Sequence, residues 1–252
     1  MAAGISRFVI VEHQQQEVRD ADRCAADCLG ASVPGTGPRI CPLEVVLVSI
    51  AVVALLALCG RVGGHWAWSL GPLVLIVGAV LPTLACGRDL AGLGLRLGWV
   101  RQGIVLLLAS GVCMLVLGFV GVALFKHLSI RPPLAASIPN GRWPLWVLFQ
   151  FAYVAFPEEL FFRGYLLSNS LCLLRTAGRM DSSAAGVVSV GLSAGLFALS
   201  HVLILGNPAS VLTFFPGLLF SWLFIRMGSL VPSILLHGVA NVGYAMMTGA
   251  VA

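Results

Sequence analysis

The segment Glu158-Glu159-Leu-Phe-Phe-Arg163 puts three ionisable side chains within six residues of an otherwise apolar run. Inside a membrane-spanning helix each such charge costs about 2.5–3.5 kcal/mol, so a functional role is the default reading. At about 100° per residue, Glu159 and Arg163 share one helix face, with the glutamate first, which is the favourable order. Glu158 points about 100° away from its neighbour. One carboxylate is therefore expected to be neutralised by the guanidinium, and the other to be left free. A free glutamate in that setting suits general-base chemistry. Pro157 predicts a kink or a fresh helical start, whose N-terminal dipole would favour the carboxylates. The alternative is a buried Glu–Arg pair that only ties helices together.

Two further apolar runs carry imidazoles. One ends in Phe197-Ala-Leu-Ser-His201, and the other contains His237-Gly-Val-Ala-Asn241. The spacing of four sets Phe197 one turn before His201, where it can pack under the ring. It also projects His237 and Asn241 from one face. An imidazole and an amide converging from one face can donate two hydrogen bonds to a developing oxyanion. The alternatives are satisfied core histidines, an interhelical polar clamp for His237 and Asn241, and plain core or lipid-facing packing for Phe197.

What must position these groups follows from composition. The 252 residues are 59% hydrophobic and 10% charged, against about 25% charged in soluble domains. So apolar a chain cannot cover itself with a polar surface, and it is too hydrophobic for disorder. No internal repeat is visible. The apolar runs are long and continuous, unlike the alternating strands of a membrane barrel. They cover roughly 44–60, 66–86, 103–125, 144–174, 184–205, 209–227 and 231–250, near the length of about 20 residues that a span requires. The expected fold is all-α, a polytopic transmembrane bundle of about seven spans over residues 43–252. A polar tail occupies residues 1–42, with a possible helix at 10–29 and a linker at Ser32–Pro38. Residues 87–102, with Arg88, Arg96 and Arg101 beside Trp99, read as an interfacial segment. Trp66, Trp68, Trp143 and Trp146 sit near run ends, as an aromatic belt requires.

The net charge of +5 comes from scattered residues, with a single lysine, Lys126. They read as topology signals and lipid-headgroup contacts, not as a nucleic-acid surface. Arg39, Arg88, Arg96, Arg101, Arg175, Arg179 and Arg226 fall on the N-terminal side, against Arg61, Lys126, Arg131 and Arg142 opposite. That bias favours a cytoplasmic N-terminus in a multi-pass protein of the cell's inner or plasma membrane. Seven cysteines form no paired framework. Cys24 and Cys28 have neither a second pair nor a nearby histidine for a metal site.

The ordered set Glu-Glu-x-x-x-Arg, Phe-x-x-x-His and His-x-x-x-Asn, on separate apolar runs, resembles the CPBP intramembrane proteases, which include the type II CAAX prenyl endopeptidases. The resemblance covers residues 144–250, and Asp89–Arg96 resembles a loop preceding the core in that family. It implies a conical active-site cavity formed by the C-terminal helices. It also implies that Glu158 activates water, with His201 beside it. Glu159 and Arg163 would orient Glu158, and His237 and Asn241 would bind the oxyanion. No cofactor is then needed, and the enzyme would be a glutamic protease. The family has also been described as metal-dependent, with Glu158, His201 and His237 as the zinc ligands. The metal-free route is favoured here because zinc chemistry has no use for the amide at 241. Partners would be membrane lipids and a membrane-associated protein or peptide substrate, prenylated or not. A proton- or ion-coupled transporter and a non-catalytic immunity-type membrane protein are the rival functions.

One feature conflicts with a shared centre. A fifth helix starting near Ala184 places His201 about 25 Å along it, while His237 lies about 9 Å into the seventh. Full crossings would then separate the two imidazoles by about 16 Å in depth. Either the fifth helix begins later, or the sixth run does not cross completely; Gly206-Asn-Pro208 and Pro216 permit an irregular segment there.

Overall fold

The computed structural model describes residues 40–62, 65–95, 101–129, 141–177 and 180–251. Most of the polar tail, its linker, Cys24, Cys28, Arg39, Arg96, Trp99, Arg131 and Arg179 lie outside those residues, as do the side chains of Trp66, Trp68 and Arg101. In lipid a backbone must satisfy its own polar groups, so continuous apolar runs become helices. The helices are α1 (Pro42–Val62), α2 (His65–Ala85), α3 (Arg101–His127), α4 (Trp143–Thr176), α5 (Ser182–Leu205), α6 (Phe214–Met227) and α7 (Leu230–Val251). Short 3₁₀ turns occupy Leu90–Leu93 and Pro208–Thr213. Six of the apolar stretches are long enough to cross a membrane, counting Pro208–Met227 as one. A seventh, Ser69–Ala85, is shorter. The protein is a polytopic helical membrane bundle.

α4 is its axis. Leu160, Phe161, Phe162, Tyr165, Leu166 and Leu167 are all buried, among Val52 and Leu56 of α1, Leu75 and Ala79 of α2, Phe197 of α5, Phe224 of α6 and Leu230 of α7. The helix is not uniform. It widens to π geometry at Gln150–Ala155 and again at Leu160–Leu167, with one α turn, Phe156–Glu159, between them. Pro157 therefore neither breaks nor restarts the helix. Proline lacks an N–H and its ring crowds the carbonyl four residues back. The wider turn ahead of it relieves that crowding, because the Phe156 N–H bonds to the Phe151 carbonyl instead. Glu158 and Glu159 thus lie in mid-helix, and no helix N-terminus faces them.

The depth conflict is resolved in the sixth run. α5 begins at Ser182, so a late start is not the answer. Asp181 caps it by accepting a hydrogen bond from the Ala184 N–H. Beyond Gly206 the chain makes a 3₁₀ turn before α6 begins at Phe214. Only 14 residues of the sixth run are α-helical, about 21 Å. Gly217 packs on Ala194 and Phe197, so the last turns of α5 face the 3₁₀ segment rather than a full helix. α7 therefore starts nearer the level of His201 than an up-and-down bundle would allow.

Arg88 departs from the interfacial reading. Its guanidinium is largely buried, paired with Glu44 of α1 and donating to Asn169 Oδ1 of α4 at 2.8 Å. Tyr165 Oη also donates to Glu44, at 2.9 Å, and the Cys86 thiol donates to the other Glu44 oxygen, at 3.3 Å. Next to this cluster, the Asp89-capped turn packs on α4 at Gly164, where a Cβ would come within 2.8 Å of the Leu93 carbonyl. The Gly94 carbonyl accepts from the Leu230 N–H at 2.9 Å. The segment whose sequence resembled a pre-core loop thus joins α4 to the start of α7.

Candidate active site

Glu159 and Arg163 are fully buried, and Arg163 Nη1 donates to Glu159 Oε1 at 2.9 Å. α6 supplies the remaining acceptors for the guanidinium. Nη2 donates to the Gly217 carbonyl at 3.1 Å and Nε to Ser221 Oγ at 3.3 Å. The guanidinium carbon also sits 4.5 Å from the Phe197 ring centre and 5.3 Å from that of Phe220, within cation–π range. A buried ion pair persists only with this degree of additional bonding.

Glu159 does not reach toward Glu158. The same Oε1 accepts from His237 Nδ1 at 2.8 Å. The contact that Glu159 makes in the site is with His237, whose ring also stacks on Phe220 with centroids 4.8 Å apart. The reason is rotational: adjacent residues on a helix diverge by about 100°, and α7 fills the wedge between the two carboxylates. With Nδ1 bound to Glu159, His237 presents Nε2 to Glu158 Oε2 at 3.6 Å.

His201 is held in the same way by another acceptor. Its Nδ1 lies 2.9 Å from the Phe197 carbonyl. A carbonyl only accepts, so Nδ1 carries the proton and Nε2 is the nitrogen left for the site. That Nε2 lies 4.0 Å from Glu158 Oε2. Phe197 packs under His201 at 4.5 Å between centroids and against His237 at 5.8 Å, which fixes both rings at one depth. Glu158, His201 and His237 are thus brought together from α4, α5 and α7.

Asn241 lies one turn beyond His237 on α7 and donates Nδ2 to Gln150 Oε1 of α4 at 3.3 Å. The sequence reading passed over Gln150, although a lone amide in an apolar run was the available signal. It also passed over Ser221, Phe220 and the Glu44 cluster.

Glu158 lies at a boundary in burial. From Glu159 to Leu167 every α4 residue is buried, whereas Gly141–Phe149 and the second half of α7 are largely exposed or half-buried. Glu158 and His201 keep 18% side-chain exposure each, against 4% for His237. The centre is sealed on the side of α1's start and open on the side of α5's end. Among the described residues, no group of three His, Cys, Asp or Glu side chains has the spacing that holds a metal ion.

Fold and site define a multi-pass helical membrane protein with a carboxylate between two oriented imidazoles inside the bundle. Residues 140–243 match the family model described as type II CAAX prenyl endopeptidase Rce1-like. That range holds all seven residues of the three motifs and Gln150. Neither the curated proteins nor the solved structures yield a match to the chain. The match to this family model supports a CAAX-type intramembrane endopeptidase in general.

Proposed function

We propose that the protein is a glutamate-dependent intramembrane endopeptidase that hydrolyses a peptide bond of a membrane-anchored or lipid-modified protein or peptide. The observation that carries this reading is the convergence of two anchored imidazoles, each through Nε2, on one oxygen of Glu158. Glu158 takes a proton from a water held between it and His201, and the hydroxide attacks the scissile carbonyl carbon. The negative charge moves to the carbonyl oxygen. His237, with Nδ1 on Glu159, donates from Nε2 as an imidazolium, both ring nitrogens carrying protons. The Asn241 amide supplies the second donor. Collapse of the intermediate breaks the C–N bond, and protonated Glu158 returns its proton to the leaving amine. Arg163, itself held by α6, keeps Glu159 in place. The catalytic unit is residues 144–250. The N-terminus is placed on the cytoplasmic side by the arginine bias.

The test is cleavage of a farnesylated CAAX-type peptide and its unprenylated counterpart by the purified protein in proteoliposomes, with the product termini read by mass spectrometry. Glu158→Gln should lower turnover by about 10²–10⁴, the usual contribution of a positioned base. Turnover that survives this change would remove the proposed base. Comparing protein termini in cells carrying wild type or Glu158→Gln would identify the natural substrate.

A further inference from the structure

Gln150 is the only side-chain amide in the apolar stretch Trp143–Phe156. An amide in such surroundings costs several kcal/mol unless it is bonded. Its bond runs between helices, from Asn241 Nδ2 of α7 to Gln150 Oε1 of α4 at 3.3 Å. Gln150 is also the residue at which α4 passes from α to π geometry. In a regular α-helix the eight steps from Gln150 to Glu158 sweep about 800°, leaving the two some 80° apart. The i→i+5 bonding of the π turn rotates the chain less per residue, which brings the sweep closer to two whole turns. Both side chains then meet α7: Gln150 at Asn241, and Glu158 at His237. Between these two rungs, Gly238 admits the Phe151 ring, which would come within 2.4 Å of a Cβ there. Gln150 and Asn241 are each half-buried, in the open half of the bundle next to the centre.

We propose that Gln150 is a positioning residue for the hydrolysis: its Oε1 holds one N–H of the Asn241 amide, so that the other N–H is presented to the scissile carbonyl beside His237. This rests on the endopeptidase reading above. An unheld asparagine rotates about two side-chain bonds and offers its carbonyl as readily as its N–H. An acceptor on α4 removes that ambiguity, because only Nδ2 can donate to it. The π turn thus serves the site by carrying this acceptor to α7.

The experiment is a double-mutant cycle on the farnesylated CAAX-type peptide in proteoliposomes, using Gln150→Leu, Asn241→Ala and the pair, with rates normalised to folded protein. Gln150→Leu should lower kcat about tenfold, part of the 10²–10³ that losing an oxyanion donor costs, with KM unchanged. In the Asn241→Ala background the same change should have no further effect, since residues acting through one another are not additive. Gln150→Glu keeps the acceptor and should recover most of kcat. Where Gln150→Leu fails to insert, the longer apolar Gln150→Met takes its place. A helix clamp alone would lower Tm and leave normalised kcat unchanged. That result, or full additivity with Asn241→Ala, overturns the positioning role. Cleavage that depends on Glu158 but is indifferent to Gln150 removes this proposal alone. No cleavage, or cleavage unaffected by Glu158→Gln, removes the endopeptidase reading and this role with it.

Discussion

His237 lies between two carboxylates, and each treats it differently. Glu159 holds Nδ1, and Glu158 faces Nε2. Glu159 is in turn held by Arg163, at zero exposure for both. Arg163→Ala would leave a buried carboxylate uncompensated and should cost about 3–5 kcal/mol of stability, measured by denaturant unfolding in detergent. Glu158→Gln, at the open boundary, should leave the unfolding midpoint nearly unchanged while removing turnover. Glu159→Gln should lower turnover less than Glu158→Gln, because a glutamine can still accept from His237 Nδ1. At the other end of α4, burial first, and then the hydrogen bond and charge of Glu44, push the Cys86 thiol above its usual pKa. Less thiolate at neutral pH means slower alkylation. Cys86 should therefore react with iodoacetamide more slowly than an unperturbed thiol near pH 8, and Glu44→Gln should speed it.

Among the elements, the α4–α7 contact decides the geometry of the centre. It depends on a residue without a side chain, because the Phe151 ring occupies the place of a Cβ at Gly238. Gly238→Ala should cost about 1–3 kcal/mol, as overpacking does. Its effect on turnover should be larger, since it parts the two helices between Gln150–Asn241 and Glu158–His237. Unfolding midpoint and kcat measured on one preparation check this: equal proportional losses would mean that the contact serves stability alone. Pro157→Ala should be tolerated by the fold, because the chain is already helical on both sides of it.

Across the whole molecule, burial divides the bundle into a closed half and an open half with Glu158 at the border. Among the described residues, the open half lies where α4 begins and α5 ends. In a cysteine-free background, Val154→Cys should react with a small maleimide in the native protein. Leu166→Cys, at 2% exposure, should stay protected until the protein is denatured. Equal labelling of both positions would contradict the division.

Much of this was legible in one dimension. Apolar runs longer than a membrane is thick have only one backbone solution, so the helical bundle follows from composition and run length. The pairing of Glu159 with Arg163, the divergence of Glu158 and the stacking of Phe197 under His201 are local consequences of helical periodicity, within one turn of a single element. What lies between elements was not legible. The sequence permitted a break at Pro157, and the tertiary fold absorbs the proline in a π turn. It allowed two answers to the depth of His201 and His237, and the short α6 supplies one. It placed Arg88 in an interfacial segment, and packing buries it against Glu44 of α1. Periodicity assigns faces along a helix, but which face meets which is set by side-chain volumes and by the small residues that let backbones approach. Those contacts join residues far apart in sequence, 44 positions for Arg88 and Glu44 and 78 for His237 and Glu159, beyond any local pattern.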